Sequence, residues 1–326
     1  MLLLCRLIVG GFFALALLPP PAAAQYPNKP ITVIVPFAAG GPTDVVTRLV
    51  GEHMSRTLGQ PVIVENIGGA GGTIGMTRAV QAKPDGYTIA VGNMGTQSAA
   101  PALYPSLKYD PAASFAQIGI VNYTPQAIVA KKSTTAGSLK EFIDYLKVNH
   151  SKLTYGHAGV GSISHVAGLV FNARFGFKPT LVPYRGTGPA MQDLVAGRLD
   201  FLCDIAVTAV PNIKSGGVKA LANLSAHRSP VLPDLPTAGE RGLPSVEAYT
   251  WAALFAPKGT PAPIVAKLQA AAVAAMNRTG LREQFESVAA TLVAPDRRSS
   301  EYLGRFVKSE FEKWGEAIRA GGALPK

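Results

Sequence analysis

Segments with the pattern of a β-strand alternate with segments of helical pattern through most of the chain. Short apolar runs rich in Val and Ile predict strands, and apolar residues at three- and four-residue spacing predict helices. The predicted strands are 31–35, 61–65, 87–92, 117–121, 127–130, 153–156, 180–184, 200–205, 218–224 and 249–256. The predicted helices are 42–58, 73–82, 138–149, 163–175, 188–197, 207–215, 261–277, 279–288 and 299–319. This alternation predicts an α/β fold with mostly parallel sheets covered by helices on both faces.

Two interruptions of this alternation predict a division into two lobes. Residues 122–125 separate two apolar strands, and residues 230–245 are rich in Pro, Gly and acidic side chains. If the chain crosses between lobes at both places, lobe 1 is discontinuous. The predicted lobe 1 comprises residues 25–124 and 241–326, and the predicted lobe 2 comprises residues 125–240. The aromatic side chains of the last helix are predicted to pack on lobe 1; they are Tyr302, Phe306, Phe311 and Trp314.

Residues 1–24 have the pattern of a secretory signal peptide. Arg6 supplies a positive start, residues 7–18 are apolar, and three alanines at 22–24 fit a cleavage site. The apolar stretch is too short to span a membrane comfortably. We therefore expect export to the periplasm, with a mature chain that begins at Gln25.

The mature chain would keep a single cysteine, so it cannot form an intrachain disulfide. Cys203 lies in an apolar run, which favours a buried and unreactive thiol over a nucleophile. The formal net charge is +11, but the basic residues are scattered and form no long run. This distribution argues against a nucleic-acid surface. It is compatible with the attraction of anionic ligands, and an acidic membrane surface or partner stays open.

Residues 36–44, PFAAGGPTD, join the first predicted strand to the first predicted helix. Pro42 suits the first helical position, because its missing N–H would have no partner there. The free N–H groups of a helix start favour an anion, and Gly40 and Gly41 permit close approach to the backbone. The segment therefore predicts a site for a carboxylate or a phosphate.

The common catalytic and nucleotide-binding motifs are missing from the sequence. The glycine-rich stretch 68–75 places Ile74 where a dinucleotide-binding fingerprint requires Gly or Ala, and the histidines lack metal-site spacing. A Ser–His–Asp set can be drawn from Ser162, His165 and Asp204. Since triads are defined by geometry, the spacing in the sequence alone does not establish one.

The chain resembles the substrate-binding proteins of tripartite tricarboxylate transporters, the Bug-type periplasmic receptors. The resemblance extends from residue 26 to the last helix. It rests on blocks that occur in one order: 36–44, GQPVIVEN at 59–66, GAGG at 69–72, PDGYT at 84–88, PALY at 101–104, VPYRG at 182–186, RSP at 228–230 and APKGTP at 256–261.

The resemblance implies a two-lobed periplasmic-binding-protein fold of type II, with a hinged cleft between the lobes. It also implies capture of a small carboxylate, a dicarboxylate or a related organic acid, and delivery to integral-membrane permease subunits. It implies no enzymatic activity, no cofactor, no metal, no nucleic-acid partner and a monomeric state.

The resemblance transfers a set of ligand-contacting positions onto lobe 1. Asp44 has two interpretations, ligand contact or capping of the helix start. In the second loop, residues 92–96 after the predicted strand 87–92, Asn93 and Met94 depart from the small hydroxyl residues that are common there, which leaves ligand size and polarity open. The implied positions are Phe37, Ala38, Gly40, Gly41, Thr43, Asp44, Asn93 and Thr96.

On lobe 2 the resemblance implies contacts from Ser162, His165, Tyr184 and Asp204. Ser162 also fits a helix N-cap, His165 a locally bonded helix-start histidine, and Asp204 a capping or hinge role. Arg185 either borders the cleft or lies at the surface. Two other functions stay open: an exported hydrolase that uses Ser162 and His165, and a ligand sensor that reports to a membrane signalling protein.

Overall fold

The computed structural model describes residues 26–243 and 248–320. The predicted signal peptide lies outside the described residues. The described strands are β1 (Ile31–Val35), β2 (Val62–Asn66), β3 (Thr88–Asn93), β4 (Phe115–Lys131), β5 (Thr154–His157), β6 (Thr180–Pro183), β7 (Phe201–Ile205), β8 (Val218–Asn223), β9 (Tyr249–Pro257) and β10 (Thr291–Leu292). The described α-helices are α1 (Pro42–Leu58), α2 (Thr73–Val80), α3 (Ala100–Leu103), α4 (Leu139–Asn149), α5 (Ile163–Phe175), α6 (Thr187–Val195), α7 (Ala206–Lys214), α8 (Ala262–Met276), α9 (Thr279–Ser287) and α10 (Ser300–Ala320).

Strand β4 is the largest departure from the sequence-based expectation. The two strands predicted at 117–121 and 127–130 form one strand of 17 residues. Residues 122–125 were expected to interrupt it because they contain polar side chains and a proline. Their backbone stays extended instead, because Asn122 to Pro125 pair antiparallel with Ala252 to Tyr249 of β9.

The sheet is mixed, so the expectation of mostly parallel strands is wrong for its centre. The strand order is β2-β1-β3-β9-β4-β7-β5-β6, and β8 and β10 also pair with β4. The flanking pairs β1–β2, β1–β3, β5–β6 and β5–β7 are parallel. Strand β9 is antiparallel to both β3 and β4. Because β4 and β9 run side by side through the middle, parallel pairing is confined to the two wings.

Two clusters of buried apolar side chains lie on either side of this centre. The first gathers side chains of β1, β3, β9, α1, α8 and the first half of β4. The second gathers side chains of β5, β7, α4, α5 and the second half of β4. We call the parts around these clusters lobe 1 and lobe 2. The pairing partner of β4 changes from β9 to β7 between Pro125 and Gln126, so this strand connects the two lobes directly.

Helix α10 covers lobe 1 and is anchored there by a buried carboxylate. Glu310 is 4% exposed and accepts hydrogen bonds at 3.1 Å from the indole N–H groups of both Trp251 and Trp314. A buried carboxylate needs such donors to offset the loss of hydration. Phe311, which was expected to pack on lobe 1, is 42% exposed and points to solvent instead.

The predicted local signals are largely present in the structure. Ser138 caps α4 by accepting a hydrogen bond from the Glu141 amide, and the Glu141 carboxylate accepts one from the Gly137 amide. Cys203 is fully buried, and burial raises the pKa of its thiol to about 12, which keeps it protonated and unreactive. Within residues 26–243 and 248–320, the helices are all too short or too polar to cross a membrane.

Candidate functional site

The loop between β1 and α1 reaches the site with its backbone held in place. Gly40 has φ +76°, a conformation that favours glycine, and Gly41 is the N-cap of α1 with Pro42 at the first helical position. The next amide groups of the helix, those of Thr43 and Asp44, belong to the first turn and have no intrahelical acceptor. Phe37, at the start of the loop, is 5% exposed. The loop therefore presents backbone donors from a fixed position.

Asp44 acts within this loop. Its Oδ2 accepts from the Gly40 amide and the Arg48 Nε, each at 3.0 Å, and its Oδ1 accepts from Asn66 Nδ2 at 2.9 Å. Asn66 Nδ2 also reaches the Phe37 carbonyl oxygen at 3.1 Å. Burial favours the neutral carboxyl, but hydrogen bonds from Arg48, Gly40 and Asn66 outweigh it and lower the pKa of Asp44. Asp44 is thus an anion that holds the loop, which favours the capping interpretation.

The second loop of lobe 1 follows β3 and is closed by reciprocal hydrogen bonds. The Thr96 amide donates to Asn93 Oδ1 at 3.1 Å, and the Asn93 amide donates to Thr96 Oγ1 at 3.0 Å. Asn93 Nδ2 lies 3.5 Å from Thr43 Oγ1, which brings the two loops together. Sequence analysis missed the π-helical turn at Gly95–Ala99 that starts here. Asn93 therefore supports the loop that carries Thr96.

From lobe 2, the start of α5 brings Ser162 and His165 to the place where the two lobes meet, which we call the junction. Ser162 is the N-cap, and its Oγ accepts from the His165 amide at 3.3 Å. His165 Nδ1 accepts from the Gly161 amide at 3.3 Å, so its ring bonds to its own loop. The His165 ring lies 4.6 Å from the ring of His157. Burial, and secondly the neighbouring His157, lower the pKa of His165 to about 4, so it is neutral at physiological pH.

Asp204 is the last of the predicted lobe 2 contacts in chain order, and it is completely buried at the end of β7. Thr208 Oγ1 donates to its Oδ2, but Asp204 Oδ1 and the buried Thr187 Oγ1 have no hydrogen-bond partner within the described part of the chain. Burial raises the pKa of Asp204 to about 6, although the hydrogen bonds to it act in the opposite direction. The Thr187 hydroxyl lies close enough to lower the pKa of Asp204, so these two buried polar groups lie together at this end of β7.

The hydroxyl of Tyr184 is engaged within lobe 2. Its hydroxyl donates to Asp193 Oδ2 at 2.6 Å, and burial together with this carboxylate raises its pKa to about 12. The side chain of Arg185 is exposed, as one of its two interpretations expected. Of these two residues, Arg185 contributes its backbone to the junction: its carbonyl oxygen accepts from the Ala38 amide of lobe 1 at 2.9 Å.

The Ser–His–Asp combination considered from the sequence, Ser162, His165 and Asp204, does not form a catalytic triad. The Ser162 Oγ lies 3.2 Å from Ser164 Oγ and accepts from the His165 amide, whereas a triad serine donates its hydroxyl hydrogen to an imidazole nitrogen. The Nδ1 of His165, which a triad would protonate and direct to a carboxylate, accepts from Gly161, and Asp204 bonds to Thr208. Within residues 26–243 and 248–320, three or more His, Cys, Asp or Glu side chains do not gather in a way that fits a metal ion.

The lobes meet through both backbone and apolar contacts. A Cβ on Gly188 at the start of α6 would lie 3.0 Å from the Gly41 nitrogen, and one on Gly95 would lie 3.1 Å from the Ile163 nitrogen. The starts of α1, α5 and α6 therefore lie at one junction. Several buried lobe 2 side chains join the apolar cluster of lobe 1: Ala158, Ile163, Val166, Ile205 and Val207.

Sequence analysis missed a set of buried polar side chains at the base of this junction. Asn122 is 2% exposed, donates to Thr124 Oγ1 at 2.7 Å, and leaves its Oδ1 unpartnered within the described residues. The alternation of polar residues at 122, 124 and 126 within an apolar strand is the signal that identifies one polar face. A cavity of about 10 Å³, room for roughly one water molecule, lies there. It is lined by Thr43 and Asn93, by Asn122, Thr124 and Thr250 at the crossing strands, and by Ile205 and Val207 of lobe 2.

A larger groove of about 950 Å³ lies along residues 225–231 and 289–295, and it shares Thr124 with the junction cavity. Its lining includes none of the side chains that the sequence pointed to as ligand contacts. The junction between the lobes therefore remains the candidate site.

Comparison with known proteins agrees with this architecture. The sequence profile described as "Tripartite tricarboxylate transporter family receptor" matches residues 46–323. A UPF0065 protein from the TAR-I ttuE–ttuC' intergenic region of Agrobacterium vitis is 42% identical over 308 residues, which is 94% of this chain and 89% of that protein.

Two solved structures are also similar. The periplasmic binding protein BugD superposes with a TM-score of 0.90 at 40% identity, over 92% of this chain and all of BugD. MatC from Rhodopseudomonas palustris, solved with bound malate, superposes with a TM-score of 0.87 at 43% identity, over 90% of this chain and all of MatC. The predicted fold class and family are confirmed: the chain has the fold of a periplasmic binding protein and belongs to the tripartite tricarboxylate transporter receptor family.

Proposed function

We propose that the protein captures a small dicarboxylate or related organic acid between its two lobes and delivers it to membrane permease subunits. The observation that carries the proposal is the meeting of three helix starts, those of α1, α5 and α6, at one junction between the lobes. Free amide groups and the positive ends of helix dipoles stabilise anions there. The bound malate of MatC supports a dicarboxylate, because that protein shares the fold and 43% of its residues.

The charges around the junction suit such a ligand. The negative charge of Asp44 is compensated by Arg48 and by hydrogen bonds, and His165 is neutral. Asp204, with a pKa of about 6, is the remaining carboxyl. A ligand hydroxyl or protonated carboxyl would donate to this carboxyl, whereas the second carboxylate of the ligand would accept from the helix starts. Phe37, Ala38, Gly40, Gly41, Thr43, Thr96, Ser162, His165 and Asp204 remain our proposed ligand contacts.

Thermal unfolding with and without organic acids tests this proposal. We expect L-malate, succinate or adipate to raise the melting temperature, because a ligand at 100 times its Kd stabilises the native state by about 2.7 kcal/mol. The acid should be recovered unchanged by mass spectrometry. Stabilisation by none of a wide panel of mono- and dicarboxylates, or conversion of one of them, would contradict the proposal.

A matched pair of serine variants tests the contact at Ser162. Ser162 and Ser138 are both helix N-caps whose hydroxyl oxygen accepts an amide hydrogen bond, at 3.3 Å and 3.2 Å. Replacing either by Ala should cost about 1 kcal/mol of unfolding free energy. Only Ser162→Ala should also weaken acid binding, since Ser138 caps α4, a helix that carries none of the proposed ligand contacts. Equal binding by the two variants would remove Ser162 from the site.

The periplasmic location and the cleavage of residues 1–24 are part of the same proposal. Fractionation of the native host should place the protein in the periplasm. Intact-mass measurement should give a chain that begins at Gln25, and a full-length chain in the cytoplasm would contradict the expected export.

A further inference from the structure

The loop of residues 159–161 makes a concentrated backbone contact with lobe 1. The Tyr104 hydroxyl donates to the Val160 carbonyl oxygen at 2.8 Å. The same oxygen lies so close to Gly71 that a Cβ there would overlap it. A Cβ on Gly159 would lie 2.7 Å from the Gly71 nitrogen. The Val160 carbonyl is therefore enclosed between a hydroxyl and the backbone of a glycine.

A second close approach between the lobes, at Gly95 and Gly161, lies next to the start of α5. A Cβ on Gly95 would lie 3.1 Å from both the Gly161 carbonyl oxygen and the Ile163 nitrogen. A Cβ on Gly161 would lie 3.1 Å from the ring of Tyr104. Real side chains seldom pack closer than this, so the absence of side chains at these positions is what permits the approach.

We propose that Gly71, Gly95 and Tyr104 of lobe 1 and residues 159–161 of lobe 2 form a closing seam that sets the affinity of the site. These contacts exist only while the lobes are together, because each one joins the two lobes. Ser162 follows the seam directly, so formation of the seam positions the start of α5 against the site. The proposal rests on the proposed function, and it assigns to these residues a positioning role rather than ligand contact.

The effect on affinity follows from the populations of the open and closed forms. If only the closed form holds the ligand fully, the apparent Kd is the intrinsic Kd divided by the fraction of closed protein. A side chain that prevents the seam from forming lowers this fraction without changing any ligand contact. The seam therefore acts on affinity from outside the ligand pocket.

Gly71→Ala and Gly59→Ala form a matched test. Both glycines have positive φ, +64° and +69°, so alanine is strained in a similar way at each. At Gly59, however, a Cβ meets nothing within 4 Å, whereas at Gly71 it overlaps the Val160 carbonyl oxygen. Tyr104→Phe removes only the hydroxyl of the seam.

Two measurements are made on these variants, hydrogen–deuterium exchange and calorimetry, and only calorimetry requires a ligand. Hydrogen–deuterium exchange of the Ala38 amide, which donates to the Arg185 carbonyl across the junction, reports closure with and without 10 mM L-malate. Calorimetry gives the Kd for L-malate. We expect Gly71→Ala to lose Ala38 protection and to bind about tenfold or more weakly than Gly59→Ala. Tyr104→Phe should bind roughly three- to tenfold more weakly than the wild type.

The outcomes separate this proposal from the proposed function. If Gly71→Ala keeps both the Ala38 protection and the malate affinity of Gly59→Ala, or if the wild type shows no protection at Ala38, the seam is overturned. If the wild type binds neither malate, succinate nor adipate, the proposed ligand class fails. The exchange comparison between the two glycine variants then still decides whether the seam controls closure.

Discussion

Replacement of Asp44 by Asn tests whether this carboxylate organises the loop at the start of α1. Asp44 accepts from the Gly40 amide at 3.0 Å and from Asn66 Nδ2 at 2.9 Å, and it pairs with Arg48 at 2.9 Å. An Asn side chain keeps one acceptor oxygen, but its amide group must face one of these donors. At least one hydrogen bond to a charged acceptor is then lost.

The expected magnitude follows from these contacts. A hydrogen bond to a charged group contributes about 1.5–3 kcal/mol, whereas the ion pair with Arg48, whose side chain is 52% exposed, contributes less than about 1 kcal/mol. We therefore expect Asp44→Asn to lower the free energy of unfolding by about 2–3 kcal/mol. For a chain of this size the melting temperature should fall by roughly 3–5 °C.

Calorimetric melting without ligand is the assay, and Arg48→Met is the control. The control removes the exposed ion pair and the exposed Arg48 bond to Asn66 Oδ1, but leaves the bonds from the Gly40 amide and Asn66 Nδ2 to Asp44, so its loss should stay below about 1 kcal/mol. Because folding lowers the pKa of Asp44, its stabilising effect is complete above the unfolded value of 3.8 and is lost as the pH falls through the lower folded value. The difference between wild type and variant should shrink accordingly below about pH 4.

Two results would refute this reasoning. One is a loss in Asp44→Asn no larger than that in Arg48→Met, which would mean that the backbone and Asn66 bonds contribute little. The other is a difference from the wild type that stays constant below about pH 4, which would mean that the charge of Asp44 is not what matters.

Three further predictions concern other buried polar groups. Folding lowers the pKa of His165 from 6.5 to about 4, so the unfolded chain binds the proton first, and the free energy of unfolding falls by about 3 kcal/mol as the pH drops from 6.5 to 4. His165→Gln should flatten this part of the pH–stability curve, and an unchanged curve would contradict the assignment. Glu310→Ala should cost about 2–4 kcal/mol and shift the emission of Trp251, and unaltered melting and fluorescence would show that the buried bond is dispensable. Tyr184→Phe loses only the bond to Asp193, so it should cost about 1 kcal/mol and leave acid binding unchanged in calorimetry; weaker binding would place the hydroxyl in the site.

The elements with strong local signals were predictable from the sequence. Helix α1 occupies the predicted residues 42–58 and α5 the predicted residues 163–175, because each has a defined start and ends before a glycine with positive φ. The Ser162 cap was predictable for the same reason. Such signals depend on a few neighbouring residues, and those contacts are the ones that a sequence displays.

The centre of the sheet and part of the site were not predictable in this way. Strand β4 looked interrupted at 122–125, because the partner that keeps it extended, β9, lies more than 100 residues away in the chain. Tyr184 directly follows strand β6, a position typical of residues that line a cleft, but its hydroxyl donates to Asp193 on α6. The roles of Asn122 and Thr124 likewise depend on neighbours from both lobes. Contacts between distant segments leave no mark on local spacing.

The 17-residue strand β4 has a consequence for how the protein folds. It lies between β9 and β7 in the sheet, so it contributes to both lobes at once. The sheet of lobe 1 lacks its strand between β3 and β4 until residues 249–257 have been synthesised. Pairing over such a sequence separation makes folding slow. Because both lobes share one strand, a cut in β4 should unfold them together, and neither lobe should be obtainable as a stable fragment.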